Sequence, residues 1–198
     1  MKILAFTDVH VSRKALDTIQ AKAEKAELLV CTGDISVFGH GMEQVLDELD
    51  ALGKPLIIVH GNHEDEDSMR AVCGRLQNAY FIHEEVLLYE GVAFLGYGGG
   101  GFATYDKRFE RMVKKMLAEV PKDHKVVLLL HQPPYGTPMD VVWGDEHVGN
   151  KSFTKFLEKE PRVVLTLCGH IHEGFRKKGQ IGTSKVVNPG DSGMLLTL

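Results

Sequence analysis

Five apolar runs of strand length each end at residues able to bind a metal ion, and that repetition constrains the chain more than any other feature. Residues 2–7 (KILAFT) lead to Asp8 and His10, and 27–32 (ELLVCT) to Asp34. Residues 55–60 (PLIIVH) lead to Asn62 and His63. Further on, 125–130 (KVVLLL) leads to His131, and 163–168 (VVLTLC) to His170 and His172. Amphipathic stretches at 12–25, 40–52 and 65–74 separate the early runs, with Ser12 placed to cap the first helix. Such alternation builds βαβ units around a parallel sheet, whose ligands bind at the carboxyl ends of the strands.

The middle of the chain reads differently. Short runs at 80–83, 86–89 and 92–97 predict antiparallel ribbons, followed by a loop at 97–102 (YGGGGF) and a helix over 105–119. After the strand at 125–130 come a loop reaching residue 149 and a helix over 151–159. The alternating tail at 173–198 again predicts antiparallel pairing. The expected fold class is α/β: a four-layer α/β/β/α sandwich of two mixed sheets packed face to face with helices outside. One domain should cover residues 1–198.

Composition narrows the partners. A formal net charge of −4, with no basic stretch interleaved with aromatics, argues against general nucleic-acid binding. No apolar run approaches the roughly 20 residues that span a bilayer, and the opening "MKILAFTDVH" meets Asp8 too early for a signal-peptide core. Cys31, Cys73 and Cys168 are an odd set at unrelated spacings, so a disulfide framework is not expected and a reducing cytoplasm is the simplest home.

Burying two aspartates and several histidines unpaired at the mouth of a sheet would be costly. Divalent cations neutralise the carboxylates and occupy the imidazole lone pairs. Asp8, His10, Asp34, Asn62, His131, His170 and His172 make seven candidate ligands, and a bridging Asp34 would give each of two ions four protein ligands. Mixed carboxylate, amide and imidazole donors suit Mn, Fe or Zn better than Mg or Ca. Taken singly, a histidine at a strand end or a Gly-Asp pair is an ordinary rim or turn residue. It is the five together, all at strand ends, that favour metal.

These blocks, "DVH" 8–10, "GD" 33–34, "GNHE" 61–64, His131 and "GHIH" 169–172, resemble the calcineurin-like metallophosphoesterase superfamily, in particular its small, uncapped, phosphodiesterase-type members. The resemblance spans residue 2 to about 190. It implies one metal on Asp8, His10 and His172, a second on Asn62, His131 and His170, and Asp34 between them. It further implies that His63 is the catalytic, non-ligand histidine. Many members carry a second Asp after the Gly-Asp pair that orients this histidine; here the position is Val37, leaving Ser36 as a candidate substitute.

The implied reaction is hydrolysis of a small phosphate ester, a nucleotide among the candidates, with a diester favoured. Attack would come from a metal-bridging hydroxide, with His63 assisting at the phosphoryl oxygens or the leaving group. The competing readings are a phosphomonoesterase, protein phosphatase or nuclease of the same fold, and a non-catalytic scaffold like the retromer subunit. For substrate contacts the sequence offers Gly98 and Gly99 in the glycine loop, and Tyr135, Trp143 and His147 in the segment after His131.

Overall fold

A computed structural model describes residues 1–198. Its first part alternates strand and helix as β1 (Lys2–Phe6), α1 (Arg13–Ala23), β2 (Leu28–Cys31), α2 (Met42–Asp50), β3 (Leu56–Ile58), α3 (Glu66–Cys73) and β4 (Ala79–Phe81). β5 (Glu85–Tyr89), β6 (Val92–Tyr97), α4 (Lys107–Glu119) and β7 (Lys125–Leu130) follow. A two-rung hairpin, β8 (Val141–Val142) and β9 (Glu146–His147), precedes α5 (Lys151–Leu157) and β10 (Val163–Leu167). β11 (Lys178–Ile181), β12 (Ser184–Val187) and β13 (Met194–Thr197) close the chain.

Two large sheets result. One has five strands in the order β13-β1-β2-β3-β4, parallel except for β13. The other has six in the order β11-β12-β10-β7-β6-β5, parallel in its middle and antiparallel at both edges. Alternation along the strands gives each sheet two apolar faces. Ile3, Ala5, Leu28, Val30 and Ile57 of the first sheet share a core with Phe94, Val127, Leu129, Leu165 and Leu167 of the second, so these faces pack together. The opposite face of the first sheet (Leu4, Phe6, Leu29, Cys31) is covered by residues of α1, α2 and α3 such as Ile19, Leu46 and Met69. That of the second (Leu95, Val126, Leu128) meets Phe109 and Phe153 of α4 and α5. Helix, sheet, sheet, helix is the layer order expected from the sequence.

Helix starts follow the local signals. Ser12 Oγ accepts from the Ala15 amide at 3.3 Å, and Asp65 and Asp106 cap α3 and α4 from the same position. Two expectations need correcting. The run at 80–83 is not part of an antiparallel ribbon: β4 pairs parallel with β3, and only β5 and β6 form a hairpin. In the tail, β11–β12 and β13–β1 are antiparallel, but β12 lies parallel to β10. Short strands carry no periodicity that distinguishes a crossover from a hairpin return. All three cysteines are buried and free.

Candidate metal centre

The parallel strands of both sheets deliver their carboxyl ends to one place. The β1–α1 turn brings Asp8 and His10, the β2 end brings Asp34, and the β3–α3 turn brings Asn62 and His63. From the other sheet, the β7 end brings His131 and the β10 end brings His170 and His172. Ligand-capable atoms of Asp8, His10 and His172 lie within 4.8 Å of one another, as do those of Asp34, His131 and His170, and of His10, Asp34 and His63. Asp34 is the hub: its Oδ2 lies 3.3 Å from His131 Nε2 and 3.9 Å from Nε2 of both His10 and His63. Asn62 Oδ1 lies 3.0 Å from His131 Nε2. The structure thus gathers all eight residues singled out at the strand ends.

The backbone is strained where these side chains are aimed. Asp8, His10, Asp34 and His170 all have positive φ (52°, 44°, 53° and 68°), a region non-glycine residues enter only when their surroundings compel it. Glycine makes the close approach possible. A Cβ on Gly61 would overlap the Asp34 carboxylate, and one on Gly169 would sit 2.5 Å from Asp8 Oδ2.

Hydrogen bonds select the tautomers. His131 donates from Nδ1 to the Thr32 carbonyl at 2.8 Å, and His10 donates from Nδ1 to the Ser36 carbonyl at 3.0 Å. In both, the neutral ring then turns the lone pair of Nε2 toward Asp34, as a metal ligand requires. His170 Nε2 is buried with no hydrogen-bond partner, an orphan that a cation would satisfy. The donor set therefore fits divalent metal ions.

His63 is held the other way round. Its Nδ1 accepts from the Phe38 amide at 3.2 Å, which puts the neutral ring's proton on Nε2. Phe38 also stacks on the imidazole, with ring centroids 4.2 Å apart and planes 26° apart. Ser36, the candidate for orienting His63, touches it only through the His63 carbonyl at 3.4 Å, and its hydroxyl donates to Glu64 at 2.6 Å.

Glu64 is the residue whose part the sequence did not disclose. Only 7% exposed, its carboxylate accepts from the amides of Asp34, Ser36 and Gly61 (2.9 Å each) and from the Ser36 hydroxyl. It ties the β2 and β3 turns together behind the centre. The acid following "GNH" was the available signal, but nothing in spacing shows which amides it binds.

Electrostatics follow from this packing. Burial pushes the Asp34 carboxyl upward, yet the hydrogen bond and charge of His131, with help from His63, bring it to about 2. For His131, burial is opposed and outweighed by Asp34, which raises the imidazole to about 9. His172 is raised by its contact with Asp8. Burial, then the neighbouring His131, lowers His170 to about 4. Without a metal His131 is therefore an imidazolium paired with the Asp34 carboxylate, and a cation at Nε2 would take the place of its second proton.

The remaining candidate substrate contacts lie outside this cluster. The Gly98 amide donates to His83 Nδ1 at 3.0 Å and the Gly99 amide to the His60 carbonyl at 2.8 Å, so neither N–H is free for a phosphate. The Tyr135 ring sits 5.5 Å from His147 and 4.5 Å from Lys151 Nζ. His147 Nδ1 pairs with the fully buried Asp140 at 2.8 Å, which fastens the β8–β9 hairpin.

The calcineurin-like phosphoesterase family model matches residues 1–174. The chain belongs to that family. As a calcineurin-like phosphoesterase it is a metallophosphoesterase, a hydrolase of phosphoric esters. It is 34% identical over 198 residues to an uncharacterized protein of Methanocaldococcus jannaschii, covering 96% of this chain and 88% of that one. With the 3′,5′-cyclic adenosine monophosphate phosphodiesterase CpdA of Escherichia coli K12 it shares 25% identity over 202 residues, or 87% of this chain and 70% of CpdA. A crystal structure from Thermus thermophilus shares the fold of this phosphoesterase at TM-score 0.79 and 19% identity, covering 98% of this chain and 93% of that one. No helix is long and apolar enough to cross a membrane.

Proposed function

We propose that this phosphoesterase is a dinuclear-metal phosphodiesterase acting on a small phosphodiester, with Asp8, His10 and His172 holding one ion, Asn62, His131 and His170 the other, and Asp34 shared. Mn, Fe or Zn fits this donor set better than Mg. The likeness to CpdA makes a 3′,5′-cyclic nucleotide the first substrate to try. Three buried free thiols favour a reducing, cytoplasmic setting.

The observation that carries the reading is the opposed tautomers. His10 and His131 donate from Nδ1 to carbonyls and keep Nε2 for an ion, whereas His63 accepts at Nδ1 and keeps a proton on Nε2. A ring so held is a donor rather than a ligand, although it lies within reach of Asp34. Bound ions would supply Lewis acidity and an activated water. His63 Nε2–H would donate to a phosphoryl oxygen or to the departing alkoxide. Phe38 keeps that proton on Nε2 and limits the tilt of the ring, while Glu64 fixes the backbone from which Asp34 and His63 project.

The test is reconstitution. Metal-stripped protein should gain hydrolysis of bis-p-nitrophenyl phosphate and of a cyclic nucleotide on addition of Mn, Fe or Zn, saturating near two ions per chain. Saturation at one ion, or turnover unaffected by metal removal, would overturn the reading.

A further inference from the structure

Two clefts border the candidate metal centre, and they differ in chemistry. One, about 580 Å³, includes Phe38, Asn62, His63, Asp65 and Ser68. It contains the His63 imidazole, proposed above to act at a phosphoryl oxygen or the leaving group. The other, about 680 Å³, lies between Phe102, Val142 and Trp143 on one side and His170, His172 and Glu173 on the other. Each cleft shares two of its residues with the centre, so a phosphate held there borders both. A monoester has one carbon substituent to place, a diester two.

The second cleft is built for a flat, apolar group. Phe102 is 68% exposed, with its ring centroid 4.8 Å from that of His170. Trp143 is 88% exposed, at the tip of the β8–β9 hairpin where Gly144 turns with φ 72°. The hairpin carrying it is not loose: Asp140 accepts from the amides of Gly136, Thr137 and Gly149 and pairs with His147. A rigid support that holds an indole out in solvent beside two candidate metal ligands is the form of a stacking platform. Charge decides what kind of group fits. Asp145 and Glu146 are exposed next to Trp143, and Glu173 lines the cleft, so a second phosphate or an anionic lipid surface would be repelled.

We infer that the cleft of Phe102, Val142 and Trp143 is the subsite for the retained arm of a phosphodiester, and that this arm carries a planar aromatic group of nucleobase or aryl type. The inference rests on the phosphodiesterase reading above and adds the chemistry of one substrate arm to it. Trp143 stacks on the arm and Phe102 borders it, while the other ester oxygen, on a second arm or on the same sugar in a cyclic diester, departs on the His63 side.

Trp143 is the single tryptophan of the chain, so its fluorescence reports on this cleft alone. Zn-loaded protein is titrated with phenylphosphonate and methylphosphonate, which present the same anion with and without an aromatic arm. Phenylphosphonate should change the Trp143 emission and bind about 10-fold more tightly, an advantage reduced in Phe102→Ala, where Trp143 still stacks. In parallel, phenyl and ethyl p-nitrophenyl phosphate share one leaving group. Trp143→Ala should raise KM about 10-fold for the phenyl diester, with little change in kcat or for the ethyl diester. Equal fluorescence responses to the two phosphonates, or an aryl-to-alkyl KM ratio unchanged in both variants, would overturn the subsite. Absence of metal-dependent diester hydrolysis in the unaltered protein would instead overturn the phosphodiesterase reading, and the phosphonate titration would still judge the cleft.

Discussion

The backbone amide of Phe38 donates to Nδ1 of His63 at 3.2 Å, in a turn where the related family pattern places a carboxylate. A carboxylate would accept a proton from Nδ1; an amide can only give one. The same histidine is therefore oriented with the opposite tautomer. Two-dimensional 15N–1H spectra of histidine-labelled protein should show Nδ1 of His63 unprotonated and Nε2 protonated. His63→Ala should lower kcat by about 10²–10⁴-fold while leaving the bound metal near two per chain. Loss of an ion from that variant would mean His63 is a ligand instead.

Glu64 meets only donors apart from the Ser36 hydroxyl, which can reverse. Glu64→Gln turns an amide NH₂ toward backbone N–H groups and should destabilise the protein by about 2–4 kcal/mol. It should also weaken metal binding, because Asp34 and Gly61 lose their common anchor. Thermal unfolding together with metal analysis checks both, and a variant as stable as the parent would refute the anchoring role.

A Cβ on Gly169 would overlap the Thr7 hydroxyl and crowd the Asp8 carboxylate beside it. Gly169→Ala should displace Asp8 and cost the site near Asp8, His10 and His172 its ion, so metal analysis should return close to one equivalent. Gly53→Ala is the control: its φ is also positive, at 63°, but a Cβ there meets nothing within 4 Å. That variant should lose about 1 kcal/mol of stability and keep both ions.

The pH dependence of stability follows from three histidines. His60 is lowered to about 4 by burial and then by His83, and His170 to about 4 by burial and then by His131. The unfolded chain takes up protons on these rings near pH 6.5 and the folded chain does not. Stability should therefore fall from about pH 6.5 toward 4, on the order of 3 kcal/mol for each. His131 has the opposite sign: held near 9 by Asp34 against its burial, it contributes below pH 6.5 and ceases to contribute as pH rises through 9. Metal-free protein should be most stable near pH 6.5. Metal must displace the His131 proton, so Zn should move that optimum upward and release protons on binding at about pH 7–8. Unfolding curves against pH, with and without Zn, measure the shift; an unmoved optimum would contradict it.

The candidate ligands were legible because each follows an apolar run directly, and a strand end in a parallel sheet has one destination. The layer order was legible for a similar reason: strands buried on both faces must be covered twice. Strand direction was less accessible. β4 has three residues and no period of its own, so its parallel pairing with β3 is decided by the α3 crossover. The β8–β9 hairpin was hidden because its fastening comes from Asp140, through contacts reaching from Gly136 to Gly149. The Phe38–His63 bond was invisible altogether, since it uses a backbone group that every residue but proline possesses. Gly98 and Gly99 marked a close approach of backbone, but the neighbour is His60.

The candidate ligands are divided between the sheets: Asp8, His10, Asp34 and Asn62 on one, His131, His170 and His172 on the other. Under the assignment proposed above neither sheet holds a full set of ligands, so a chain in which only one has formed would lack the donors for two ions. Metal acquisition would then be deferred until the halves have met, and the loaded fraction of a preparation would count the molecules that completed their assembly.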